Sequence, residues 1–94
     1  MTDTVVITRH PALVDLLRER GLITGEEPVI EHATSDDVRG RRVIGVLPLA
    51  LAAEAASLTE IPLSLAPEDR GQELSLDRLR EVAGLARTYV VREV

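Results

Sequence analysis

Short apolar runs alternate with longer amphipathic ones along this chain, and the alternation predicts its elements. Thr4 to Thr8 (TVVIT) is apolar and β-branched, as a buried strand requires. From Pro11 the period changes. Leu13, Leu16 and Leu17 share one helical face, Asp15, Arg18 and Glu19 fall elsewhere, and Gly21 is placed to end the helix. Pro11 suits a helix start, where its missing amide hydrogen would be unpaired anyway. Glu27 to His32 (EPVIEH) reads as a second short strand, with Pro28 weakening its first pairing. Thr34 or Ser35 can cap a single turn through Asp36, Asp37 and Val38 before Gly40 turns the chain back. That connection is short for a parallel crossover, which normally takes about a dozen residues.

Val43 to Leu47 is another short apolar run, and it leads almost directly into a helix from Pro48 through Leu58, with Pro48 at the first helical position. Gly45 inside the strand allows a close approach to the backbone. Glu60 to Leu65 (EIPLSL) reads as a fourth strand with Ser64 near its exit, followed by a polar loop from Ala66 to Glu73 that carries Pro67, Arg70 and Gly71. Ser75 is placed to cap a helix from Leu76 to Arg87, whose apolar face is Leu76, Leu79, Val82, Ala83 and Ala86. Tyr89 to Val94 reads as a closing strand. Strands alternating with helices predict an α/β domain over residues 1–94, with a mostly parallel sheet of four to five strands and helices on both faces.

Composition then limits the chemistry. With 94 residues the chain buries only about 60 to 70% of its unfolded surface, so docking to a second copy would help it. Phe, Trp and Cys are absent and Tyr89 is the single aromatic residue, which leaves Leu, Val, Ile and Ala to build the core. Without cysteine there is no disulfide, thiolate zinc site or cysteine nucleophile. All 11 basic residues are arginine, against 16 acids, for a net charge of −5. That balance argues against coating long nucleic acid, and the lack of an aromatic platform argues against the usual single-strand binding modules. No apolar run approaches the roughly 20 residues that span a bilayer, and Met1 to Asp3 is no basic leader. The expectation is a soluble cytoplasmic protein with no membrane partner.

In a parallel α/β sheet, ligands gather at the carboxyl ends of the strands. Those ends bring Thr8, Arg9 and His10 from the first strand, His32 from the second, Leu47, Pro48 and a helix start from the third, and Ser64 with the Arg70 loop from the fourth. A helix start there offers free amides and a positive dipole end to an anion. Plainer readings stand beside these. His10 can simply cap the helix, His32 can be a hydrogen-bonding residue at a strand end, and Arg9 and Arg70 can be solvated charges. Ser64 has no G-x-S-x-G around it, and the chain has no dinucleotide fingerprint, Walker loop or H-E-x-x-H motif. Two histidines 22 positions apart make no metal-ligand spacing, so neither a metal nor another cofactor is expected.

Several segments together carry a family resemblance: TRHP near the start, EH at the second strand's end, VIGVLPLALAAE in the middle, LSL in the fourth strand and RGQELS before the last helix. In this order and spacing the sequence resembles the small type III CRISPR-associated ancillary proteins of the Csx-sixteen family, over nearly its whole length. One departure stands out. Where that pattern begins its central helix with Leu-Pro-Val-Asn, this chain has Leu47-Pro48-Leu49-Ala50, so a polar side chain at position 50 is missing.

The resemblance implies a Rossmann-like domain and a ring nuclease, an enzyme that opens cyclic oligoadenylates and so switches off type III signalling. Cyclic tetra-adenylate is the implied ligand, and its two-fold symmetry would match a homodimer. Each linkage carries its own nucleophile, the ribose 2′-hydroxyl, so a metal is unnecessary if the protein turns sugar and phosphate into line. On this reading Arg9 and Arg70 hold phosphates with help from the amides after Leu47, His10 serves as acid or base, and Thr8 and Ser64 orient ribose or phosphate. The alternatives are a non-catalytic module that sequesters the ring, and a protein-interaction subunit docking through the helix from Leu49 to Leu58.

Overall fold

The computed structural model describes residues 3–94. Five strands form one sheet in the order β2-β1-β3-β4-β5. The strands are β1 (Thr4–Ile7), β2 (Val29–Ile30), β3 (Arg42–Gly45), β4 (Ser57–Glu60) and β5 (Arg87–Tyr89). All pairings are parallel except β4 with β5, which is antiparallel. The helices are α1 (Pro11–Glu19), α2 (Ser35–Val38), α3 (Leu49–Glu54) and α4 (Leu76–Val82), with a 3-10 turn at Pro67–Asp69. This is the small, mostly parallel Rossmann-like sheet that the element order predicts.

Both faces of the sheet are covered because its central strands carry consecutive apolar residues, Val5 to Ile7 in β1 and Val43 and Ile44 in β3, while side chains alternate between faces. Val6 and Ile44 point to one side and pack with Leu16 and Leu17 of α1 and Leu79 and Val82 of α4. Val5, Ile7 and Val43 point to the other side, against Val38 of α2 and Ala52 of α3. The short crossover from β2 to β3 closes because α2 is a single turn. It is pinned at its start by Asp37, whose carboxylate accepts from the Thr34 amide at 2.8 Å and the Thr34 hydroxyl at 2.9 Å. Val38 at its end is fully buried. Ser35 donates to Glu54 at 2.7 Å and ties α2 to α3.

Several boundaries differ from those predicted. The helix after Pro48 ends at Glu54, and β4 is Ser57–Glu60, so Leu58 belongs to a strand. Arg42, Val43 and Ile44 of β3 pair with Ser57, Leu58 and Thr59, a tertiary pairing that overrides the helical preference of the preceding alanines. Of the stretch expected as a strand, Glu60 to Leu65, Glu60 joins the sheet as the last residue of β4, and the rest, which contains Pro62, does not. It runs instead beside the end of α4, with Leu63 bridging Ala83, the Ser64 amide donating to the Val82 carbonyl at 3.0 Å and the Gly84 amide to the Pro62 carbonyl at 2.8 Å. Those bonds also stop α4 at Val82 rather than Arg87. The closing strand is correspondingly earlier, at Arg87–Tyr89. The expected second strand shrinks to Val29–Ile30, since Glu27 is occupied in a turn and only Val29 and Ile30 face Val6 and Ile7.

Candidate functional site

The chain leaves β1 toward β2 on one side and β3 toward β4 on the other, so a crevice opens at the carboxyl ends of β1 and β3. Gly45 closes β3 at that point, opposite Ile7, with φ +144°. A Cβ on Gly45 would overlap the Ile7 carbonyl oxygen, which is why a glycine stands there.

Thr8, Arg9 and His10 fill the step from β1 to α1. The Thr8 amide donates to the Ile30 carbonyl at 3.1 Å, and the Thr8 hydroxyl accepts from the His10 amide at 3.1 Å. This turn fixes the backbone and leaves the side chains of Arg9 and His10 exposed. His10 is the N-cap residue of α1, yet its imidazole makes no capping hydrogen bond, so the plain capping reading does not hold. A threonine, not the imidazole, secures the turn.

Three cavities meet at this step, and Arg9 and His10 line all of them. The central one, about 350 Å³, lies between β1, β3 and the stretch after β4, with apolar walls from Leu13, Val46, Ile61 and Leu63. A second, about 600 Å³, extends toward Arg70 and Gln72. The third, about 350 Å³, lies on the β2 side with Asp15 and Glu31. Glu31 also lines the central cavity.

Arg70 reaches this region because its neighbour is fastened. Asp69 accepts from the Ala66 amide at 2.8 Å and takes the Arg78 guanidinium through two bonds, 3.0 Å from Nε and 2.6 Å from Nη2. The Arg78 bonds, then the Ala66 amide, hold the Asp69 carboxyl below the usual carboxylate range. Gly71, at φ +75°, then turns the loop over. Among the described residues the ion-paired arginines are Arg18, Arg39, Arg78 and Arg80, and Arg9 and Arg70 are among those without a carboxylate partner.

Of the residues singled out in the sequence, Thr8, Arg9, His10 and Arg70 come together around these cavities. Leu47 is buried and packs on the opposite face with Val5 and Ala52. Pro48 is the N-cap of α3, one position earlier than expected. That helix has six residues, and the Leu51 and Ala52 amides already donate to the Pro48 carbonyl, so its dipole end is modest. Ser64 and His32 line none of the cavities described, and the neighbouring Ile61 and Leu63 stand where Ser64 was expected. Sequence reasoning passed over Glu31. Its position at the end of β2, as the first residue of the EH pair, was the available signal. Among the described residues no three potential metal ligands cluster, and no helix is long and apolar enough to cross a membrane.

Searches of curated proteins and of solved structures return no match to this chain. A family model does match it, over residues 5–92, under the description putative CRISPR-associated protein (Cas_VVA1548). The match takes in the five strands, all but Thr4 of β1, and the residues of the crevice, and the chain therefore belongs to this family of CRISPR-associated proteins.

Proposed function

We propose that the protein is a ring nuclease that binds a cyclic oligoadenylate, cyclic tetra-adenylate above all, across the carboxyl rim of its sheet and cleaves it without a metal. The observation that carries this reading is the pair Arg9–His10, an unpaired guanidinium and an imidazole free of capping duty, standing where three cavities join. Adenine rings suit the apolar walls of Ile61 and Leu63, and phosphates suit Arg9 and Arg70. With sugar and phosphate held in line, the 2′-hydroxyl attacks the adjacent phosphorus, and His10 moves a proton. A positioned acid or base contributes about 10²- to 10⁴-fold in rate. The Csx-sixteen resemblance points to the same chemistry, and a homodimer would present this rim twice to a two-fold symmetric ring.

Labelled cyclic tetra-adenylate incubated with the protein in EDTA tests the reading directly. Linear product is expected. His10→Ala should lose about 10²- to 10⁴-fold in cleavage while retaining binding, and Arg9→Ala should lose both. Intact bound ring would instead support the sequestering module, a reading favoured by Ala50 standing where the family pattern has a polar residue. Neither binding nor cleavage would leave the interaction subunit.

A further inference from the structure

We propose that Glu31 is the general base that completes an acid–base pair with His10, an assignment that rests on the ring-nuclease reading. Glu31 immediately follows β2, whose Val29 and Ile30 pair with Val6 and Ile7 of β1. That register carries it to the same rim as Thr8, Arg9 and His10. It lines both the central cavity and the β2-side cavity together with those residues. Its carboxylate is exposed and has no hydrogen bond or ion pair among the described residues, so no structural duty occupies it. The contrast with Glu27, four positions earlier, is instructive. Glu27 is buried and receives the Thr24 and Gly25 amides, as a structural acid does.

Cleavage by the neighbouring 2′-hydroxyl needs a proton removed on one side of the phosphorus and a proton delivered on the other. The two must come from different groups if both transfers occur in one displacement. Glu31 takes the 2′-hydroxyl proton as the 2′-oxygen bonds to phosphorus. The bond from phosphorus to the 5′-oxygen breaks, and that oxygen takes a proton from the His10 imidazolium. The products are a 2′,3′-cyclic phosphate and a 5′-hydroxyl, with no net gain or loss of protons. Arg9, on the same rim, offsets the phosphate charge that would otherwise repel a carboxylate so close by. The charged or titratable groups around Glu31 are Arg9 and His10 from the β1–α1 step, Asp15 from α1, and His32 next in the chain.

Single-turnover cleavage of cyclic tetra-adenylate across pH, with calorimetric binding of the same ring, tests the assignment. Glu31→Gln keeps the size of the side chain and removes its basicity. It should bind the ring no more weakly than the parent protein, cleave about 10²- to 10⁴-fold more slowly, and lose the acidic limb of the rate–pH curve. Glu31→Asp should restore part of the rate and that limb. A Glu31→Gln protein that cleaves at the parent rate with an unchanged profile overturns the base assignment and leaves the ring-nuclease reading standing. A parent protein that binds the ring without opening it overturns both.

Discussion

Single residues decide whether the crevice exists. Gly45 is the sharpest case, because its φ of +144° and its approach to the Ile7 carbonyl both exclude a side chain. Strained backbone of this kind costs about 1–3 kcal/mol at each such residue, and the overlap with Ile7 adds to it. Gly45→Ala should therefore lower the urea midpoint of unfolding by more than strain alone predicts. An unchanged midpoint would show that β1 and β3 separate at little cost. By contrast, Gly71→Ala meets no neighbouring atom and faces only the penalty of φ +75°. The comparison of the two variants separates backbone strain from steric overlap.

At the scale of elements, the site depends on how firmly each loop is tied. The loop bearing Arg70 hangs on Asp69, and Asp69→Asn weakens both the Arg78 bonds and the acceptor for the Ala66 amide. Faster amide exchange over residues 66–73 is expected, with weaker binding of cyclic tetra-adenylate and little change in the exchange of β1 and β3. The turn before β2 hangs on Glu27. Its carboxyl is lowered from an ordinary 4.5 to about 2, chiefly by the Thr24 amide and against the effect of burial. A depressed acid stabilises the fold above its unfolded value and loses that contribution as pH falls through the folded one. Stability should thus decline between pH 4.5 and about 2, and Glu27→Gln should flatten that part of the melting-temperature curve. Because Glu19, Asp37 and Asp69 are lowered too, the difference between parent and variant is the quantity to read.

These elements also mark how far the sequence could be read. β1, α1 and the first half of β3 were legible because their apolar period is local and Pro11 and Pro48 punctuate it. The Ser75 cap was legible for the same reason, and its hydroxyl does accept from the Arg78 amide at 3.1 Å. What escaped was set by partners distant in sequence. Ser57–Glu60 is a strand because β3 lies beside it, and α4 stops at Val82 because the Pro62 and Ser64 backbones take over its last groups. The site follows the same rule. Thr8, Arg9 and His10 could be placed from a strand end, and Glu31 from the end of the second, whereas Ile61 and Leu63 enter only through the path after β4.

For the whole molecule, the net charge of −5 sits awkwardly with an anionic ligand unless the cations are concentrated. Arg9 and Arg70 do converge on one cavity, where Asp69 is already paired with Arg78 and Glu73 is the remaining acid. Cyclic tetra-adenylate carries one negative charge on each of its linkages, and among the described residues the rim cavities of one chain present two guanidinium groups, Arg9 and Arg70. Two chains related by a two-fold axis would offer one for every phosphate, each subunit meeting half of the ring. Calorimetry should accordingly return one ring for two chains, and light scattering should find a dimer whose mass rises no further when ring is added. Arg70→Ala should weaken binding without altering that ratio, since the symmetry of the ring remains. One ring for each chain, bound by a monomer, would mean that a single rim suffices and that the charge-matching argument is wrong.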